Sequence, residues 1–480
     1  MRTWFILILL MLLLPSAAAE CTIGLALGSA TTDGRPVIFK NRDITSWSLE
    51  YKTFTPSGLY AYVGNRYTNS STIWMGANEV GLGVVQSAAY NVSTGGSGLD
   101  NGSMISYALA RCLTVDDFEQ ILIDTNGGGR STAANYAVID AYGNGAMFEC
   151  SPWIYQRYDP DENGIVVRAN FCYIGDSGRV GQNLQDRAFE LMSEEAEGDY
   201  LDSHYIAKHV VSDLLYPDQD PYPLPWTGTF GSMPARYVNT GPFTGVQTIC
   251  NYNTRACAVV QGVPAGSDPA NTVLWSFFGQ PVLSIPVPIF PASHDEPSVM
   301  TGSPAPLCYL AQGKSQQVFD HYTSYYLNTA QLLDEAGGGY WTFIHPTIDW
   351  VFDDVSAIIT EWETSPPTES ERIDYQENVA TQIYEIYESE TAMASVDQAM
   401  PLVSKLRLYP NPFTASCRIS CSRPDEALSN IEIFDTSGRR ITSSVTDFNW
   451  RPASSIEAGV YLVRAYLGDR ELTERVVMLK

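Results

Sequence analysis

Apolar and polar positions fall into two periods along this chain, and the period changes several times. After an unbroken apolar run from Phe5 to Leu14, Cys21 to Gly28 reads as an apolar strand. Thr32-Asp33-Gly34-Arg35 predicts a hairpin turn, because an Asp-Gly pair suits positive φ. Pro36 to Lys40 then returns as the partner strand and ends in Asn41-Arg42-Asp43. Ser71 to Ala89 predicts a second strand pair turning at Asn78-Glu79-Val80-Gly81. Helical spacing over Ile105 to Ile123 places Leu109, Cys112, Leu113, Phe118 and Ile121 among its apolar positions. Strands follow at Asn135–Asp140 and Ala146–Cys150 around a turn at Tyr142 to Gly145, and again at Ile165–Phe171. Acidic helical segments lie around Leu184–Glu197 and His204–Leu214, with strands returning at Thr248–Gly262 and Thr272–Pro288. Gln316 to Glu390 is mostly helical, with Val379, Ile383, Ile386 and Tyr387 on one buried face. Sheets bracketed by helices predict a layered α+β domain.

The two ends differ from this pattern. Arg2, the apolar run and Pro15-Ser16-Ala17-Ala18-Ala19 have the three parts of a signal peptide, here over 1–19. The run is too short to span a bilayer comfortably, so no stable membrane span is expected. Glu20 is neither small nor neutral, which excludes a lipid-modified Cys21. Beyond Met400-Pro401 the chain becomes short strands separated by turns, as at Ile431–Phe434, Thr436-Ser437-Gly438 and Val460–Tyr466. That pattern predicts a small all-β, Ig-like sandwich.

Composition narrows the function classes. A chain of 480 residues, 45% hydrophobic and 17% charged, has room for a large domain and a small one. The 54 acidic against 28 basic residues give a net charge of −26, which argues against nucleic-acid binding. His204, His209, His294, His321 and His345 lack metal-ligand spacing, so neither metal nor cofactor is expected. Gly127-Gly128-Gly129 follows a helix and does not open one, unlike a phosphate loop. Nine cysteines are an odd count for an exported protein. Cys250 and Cys257 are spaced to pair across a hairpin, Cys417 and Cys421 are poorly placed to pair, and Cys21 is left as the odd thiol.

The first hairpin carries the candidate chemistry. Its return strand brings Asp43 back beside Cys21. Once Cys21 is N-terminal, its α-amine, with a reference pKa near 8, is a base for its own thiol. A cation at Lys40 or Arg42 favours thiolate, and Asp43 is placed to hold the amine. Because signal peptidase is expected to cut after Ala19, removal of Glu20 requires a second step, autocatalytic or protease-assisted.

This hairpin resembles that of the N-terminal-nucleophile cysteine hydrolases: choloylglycine hydrolases, penicillin V acylases, and above all the isopenicillin N acyltransferase and carcinine hydrolase-like group. The resemblance runs from Cys21 to about residue 390 and implies a four-layer αββα sandwich. It also implies a thioester mechanism on linear, non-peptide amides, with transfer to water or an amine. Cys21 matches the nucleophile, and Asp43 the aspartate on the α-amine. Lys40 stands where choloylglycine hydrolases carry an arginine, which keeps charge but loses the planar fork. Gly76 to Leu82 matches the family's Gly-x-Asn-Glu-x-Gly-Leu stretch, where Asn78 also reads as a turn residue. Where an oxyanion asparagine sometimes follows, this chain offers Gln86 and Ser87. Arg168-Ala169-Asn170-Phe171 matches the Thr-Asn segment, making Asn170 the oxyanion-hole side chain. A later catalytic arginine falls on Arg236 or Arg255. The implied partner is a small acylated amine or amino acid, and the 28 Tyr, 18 Phe and 10 Trp permit an apolar acyl pocket.

The tail resembles the C-terminal sorting domains of the type IX secretion system. Leu408-Tyr409-Pro410-Asn411-Pro412-Phe413, Ile433 to Arg439, Gly459 to Val463 and Val476 to Lys480 carry that likeness. It implies a Gram-negative bacterium, the type IX machinery as partner, and secretion or attachment at the outer surface. The domain reading is therefore 1–19 signal peptide, 21–395 hydrolase domain, 396–404 linker and 405–480 sorting domain. Two other readings stay open for the large domain: a dipeptidase-like peptidase of the same superfamily, or a catalytically inactive surface-binding protein. For the tail, a carbohydrate-binding or adhesive sandwich is the alternative.

Overall fold

The structure, a computed structural model, describes residues 21–216, 220–225, 237–240, 248–319 and 326–394. In the tail it describes 406–409, 416–421, 428–435, 438–441, 444–446, 448–453, 455–467 and 470–478. The expected signal peptide, Glu20, Arg236, His321 and the expected linker lie outside the described residues.

Two antiparallel sheets make the large domain. The first strands are β1 (Thr22–Ala26), β2 (Val37–Asp43), β3 (Leu49–Phe54), β4 (Tyr62–Tyr67), β5 (Ile73–Asn78) and β6 (Gly83–Ala88). They are followed by β7 (Ala134–Ile139), β8 (Gly145–Cys150), β9 (Tyr155–Tyr158), β10 (Ile165–Arg168) and β11 (Tyr237–Asn239). Then come β12 (Thr254–Gln261), β13 (Val273–Phe278), β14 (Val287–Ile289) and β15 (Tyr326–Asn328). One sheet has the order β10-β1-β2-β12-β13-β14 and the other β3-β4-β5-β6-β7-β8-β9, while β11 and β15 pair separately. Ile23, Leu25, Ile38, Val259 and Trp275 of the first sheet share a buried cluster with Val63, Met75, Val85 and Ala137 of the second. Gly83 lies so close to Val260 and Ile38 that a Cβ there would meet both, and this close approach sets the sheets' spacing.

Helices cover the outer faces. α1 (Asn101–Leu109) and α2 (Val115–Asn126) bury Met104, Ile105, Leu109, Phe118 and Leu122 against Val84, Tyr136, Val138 and Phe148 of the second sheet. α3 (Gln182–Glu197) lies along β10 and β1. A short turn α4 (Ser203–Tyr205) continues as a π-helix over Ile206–Val210. α5 (Pro306–Val318), α6 (Trp341–Thr364) and α7 (Glu369–Ala394) follow, with α7 against β14.

Three sequence expectations need correction. The single helix expected over Ile105–Ile123 is two, broken at 110–114. Thr114 caps α2 by accepting from the Asp117 N–H, and the Asp117 side chain takes the Thr114 N–H in return. This reciprocal box ends one helix and begins another. The Asp33-Gly34 pair does not make a two-residue hairpin. It sits in a longer loop over 27–36 with Gly34 at φ 71°, closed by Thr31 Oγ1 donating to the Arg35 carbonyl at 2.9 Å. Cys250 and Cys257 are both unbridged, as are Cys21, Cys112, Cys150, Cys172, Cys308 and Cys417. Cysteine parity therefore does not single out Cys21.

A buried ion pair ties the two sheets where β10 ends. Arg168 Nε donates to Glu149 Oε1 at 2.7 Å, and Glu149 Oε2 accepts from the Ile174 N–H at 3.0 Å. The guanidinium lies 4.7 Å from the ring centre of Tyr158 and 4.8 Å from that of Tyr173. Both partners are buried, so removing one charge strands the other. Glu149→Gln is expected to cost about 3 kcal/mol of stability, read as a lower urea midpoint with an unchanged slope.

The described tail is all-β. Its strands form two four-stranded sheets, and Leu408, Ile419, Ile433, Trp450, Tyr461 and Val463 are buried together.

Candidate active site

Cys21 enters β1 opposite the end of β2, since Thr22 pairs with Asn41 and Ile23 with Lys40. Its side chain is buried, and the backbone N–H of Asp43 is directed at its sulfur. Burial pushes the thiol above its ordinary value, and the positive charge of Lys40 is the largest opposing effect. The Cys21 backbone nitrogen donates to Asn170 Oδ1, on a segment 149 residues away.

Strand alternation distributes the β2 side chains. Lys40 and Arg42 reach the second sheet, where Lys40 Nζ donates to the Gln86 carbonyl and Arg42 donates to Asn65 Oδ1. Asn41 and Asp43 point the other way. Asn41 Nδ2 holds the carbonyls of Val211 and Ile249, both at 2.8 Å. The Asp43 carboxylate accepts from Asn251 Nδ2 and, at 2.6 Å, from Thr254 Oγ1. Lys40 is buried among these groups, and burial lowers its pKa to about 8. The Cys21 and Asp43 charges partly restore it, while Arg42 lowers it further. Arg42 stacks 4.4 Å from the Tyr67 ring centre and 5.1 Å from that of Trp74.

The other expected site residues fall unevenly. Arg255 lies on β12 within electrostatic reach of Asp43, and burial brings its pKa to about 10. Its guanidinium lies 4.6 Å from the Trp47 ring centre and 4.8 Å from that of Tyr252. Among the described residues its buried Nε has no hydrogen-bond partner. Gln86 and Ser87 do not present donors to Cys21. Gln86 shares the face of Val84, which packs on the helices, and only its carbonyl meets Lys40. The single Ser87 hydroxyl hydrogen is spent on the Ala169 carbonyl at 2.6 Å. Asn78 is a turn residue: Oδ1 accepts from the Leu82 N–H at 2.8 Å, and Nδ2 donates to the Leu109 and Cys112 carbonyls. Gly81 supplies the φ of 86° that this turn requires.

Asn251 and Thr254 escaped the sequence reading because no motif joins them to Asp43. Their only signal is polarity at the mouth of an apolar strand.

Among the described residues no group of three His, Cys, Asp or Glu side chains is placed to hold a metal ion. No described helix is long and apolar enough to cross a membrane.

Comparison with known proteins bears on the two parts of the chain differently. Residues 407–479 match the family model of the secretion system C-terminal sorting domain. A sorting domain is present. It makes the secretion machinery a partner of this chain and supports secretion or surface attachment. No curated protein matches the chain. Among solved structures, a variant of the conjugated bile acid hydrolase from Clostridium perfringens is similar over 54% of this chain and 89% of its own, at 13% identity and a TM-score of 0.35. The penicillin V acylase from Agrobacterium tumefaciens is similar over 56% and 86%, at 13% identity and a TM-score of 0.36. The Caenorhabditis elegans ortholog of N-acylethanolamine-hydrolyzing acid amidase is similar over 52% and 96%, at 16% identity and a TM-score of 0.35.

Proposed function

We propose that the chain is a secreted cysteine amidohydrolase that cleaves linear, non-peptide C–N amide bonds through a thioester on Cys21, with transfer of the acyl group to an amine as its second outlet. The observation that carries this reading is the Cys21 nitrogen held by the Asn170 side chain, with the Asp43 N–H directed at the sulfur and the Lys40 charge within electrostatic reach of it. In this reading 21–395 is a hydrolase domain of four αββα layers, 396–404 a linker and 405–480 an Ig-like sorting module. Residues 1–19 are a signal peptide, and the producing cell is a Gram-negative bacterium.

The roles follow from the groups present. After loss of Glu20, the α-amine takes the thiol proton and the sulfur attacks the amide carbonyl. Asn170 Nδ2 gives one hydrogen to the Ala88 carbonyl at 2.7 Å and keeps a second for the oxyanion. The α-ammonium then protonates the departing amine, leaving an acyl thioester. Water attacks that thioester and gives its proton back to the amine, releasing the acid. Lys40 supports thiolate by charge, Asp43 orients the amine end of the hairpin, and Arg255 adds positive charge behind Asp43.

N-terminal sequencing with intact mass tests the processing, and a mature chain that is active while still beginning with Glu20 overturns the α-amine as base. Acyl-amino acids, penicillin V, β-alanyl amines and dipeptides form the substrate panel. Turnover of acylated amines is expected; turnover of dipeptides alone assigns a peptidase, and turnover of none assigns a binding protein.

Lys40 gives the reading a pH signature. It is cationic below its pKa of about 8 and neutral above it, so thiolate support weakens as pH rises through that value. Lys40→Arg keeps its charge over the whole range and is expected to remove the alkaline fall in kcat/KM. A limb that stays in place assigns the ionisation to another group.

A further inference from the structure

The segment that carries Asn170 is buried yet outside any strand, because β10 ends at Arg168. Its backbone polar groups therefore need partners other than a sheet ladder. Tyr90 N–H donates to the Asn170 carbonyl at 3.0 Å, and the Asn170 N–H reaches the Val180 carbonyl at 3.2 Å. The carbonyls on either side of Asn170 are held by one side chain. Asn135 Nδ2 lies 3.0 Å from the Ala169 carbonyl and 3.0 Å from the Phe171 carbonyl. It is also 3.1 Å from Ser87 Oγ, whose own hydrogen goes to the Ala169 carbonyl at 2.6 Å.

Asn135 is fully buried on β7, directly across from Ser87 on β6. Its orientation is settled by chemistry: two backbone carbonyls require the NH₂ group, and Cys172 Sγ donates to Oδ1 at 3.1 Å. We propose that Asn135, with Ser87, is a positioning residue that fixes the Asn170 amide for the reaction. The inference rests on the reading of Asn170 as the oxyanion donor at Cys21. Two rigid strands of the second sheet thereby set the geometry of a side chain carried by an irregular segment of the first. Oxyanion donors act only when held within a fraction of an ångström of where charge develops.

The test uses the purified mature protein and p-nitrophenyl butyrate, an activated ester that acylates a nucleophilic thiol without needing a matched amine. Asn135→Ala is expected to lower kcat at least about tenfold with KM nearly unchanged. Added to Asn170→Ala, the same substitution is expected to cost less than about twofold more, because its effect runs through a side chain already removed. Equal losses in both backgrounds, or no loss in the first, overturn the positioning role while Asn170 remains catalytic. Full activity in Asn170→Ala overturns the underlying reading and the positioning role with it, so the two failures are distinguishable. If Asn135→Ala does not give a cooperative melting curve, Ser87→Ala carries the same cycle. It removes a single hydroxyl, the one that bonds Ala169 and lies beside Asn135 Nδ2, with a loss of about fivefold expected in the wild-type background and none beside Asn170→Ala.

Discussion

Cys21→Ser is expected to abolish turnover, with a loss of at least about 10⁴-fold in kcat. A base with a pKa near 8 matches a thiol far better than it matches an alcohol. The buried site adds to the difference. Burial already raises the Cys21 thiol and leaves Lys40 as the largest effect favouring its anion, and that one cation is a small correction for a hydroxyl. The fold is expected to survive, since sulfur and oxygen occupy the same place just ahead of β1 and the Cys21 backbone bond to Asn170 does not involve the side chain. The checks are a melting curve within a few degrees of wild type, and the loss of an acyl mass increment on the peptide beginning at residue 21 after treatment with p-nitrophenyl butyrate. Retained turnover in Cys21→Ser would sink the thioester mechanism.

Asp43→Asn is expected to lower kcat by about 10²- to 10³-fold, a loss on the scale of one preorganised catalytic contact. The carboxylate accepts from both Asn251 Nδ2 and Thr254 Oγ1. An amide keeps one acceptor oxygen for Asn251 and turns an NH₂ to Thr254, whose hydroxyl must then accept instead of donate, and the charge that strengthened both buried bonds is lost. Charge changes in the same step. Asp43 raises the pKa of Lys40 and also that of Cys21, so its loss moves both downward. The alkaline limb of the pH profile is therefore expected below its wild-type position near 8, while alkylation of Cys21 by iodoacetamide is not slowed. Slow turnover beside an undiminished thiol locates the defect in the amine end and the acyl step. An equal fall in both rates assigns Asp43 to holding the hairpin together instead.

Both predictions follow the path from residue type through register to chemistry. The pairing of Thr22 with Asn41 puts Cys21 beside the end of β2. The two-residue alternation of β2 then sends Lys40 to the second sheet and Asp43 to Asn251 and Thr254. A shift of one residue in that pairing would exchange the two faces.

Local order alone determined a definite part of this. The apolar runs around Cys21 and Val37, the Asn78–Gly81 turn and the strand pair Asn135–Asp140 and Ala146–Cys150 are periodic over short stretches. Such periods are set by which face a side chain can bury. The change of texture after Met400 marked the tail, where residues 407–479 match a sorting domain. Tertiary structure decided what periodicity does not encode. Leu49–Phe54 and Tyr62–Tyr67 went unread because their buried faces include Glu50 and Asn65. These residues are polar in sequence and are buried with partners that lie far off along the chain or on another strand: Arg66, Thr301 and Gly302 for Glu50, and Arg42 for Asn65. Asn170 was visible through family resemblance and not through spacing, since its contact with Cys21 spans 149 residues. Asn251 and Thr254 carry no local mark beyond polarity at the mouth of an apolar strand, and Asn135 carries none that points to Asn170. A buried polar side chain gains its meaning from the partner that offsets its desolvation: Asp43 of the neighbouring strand for Asn251 and Thr254, and the Ala169 and Phe171 carbonyls, brought over from the other sheet, for Asn135.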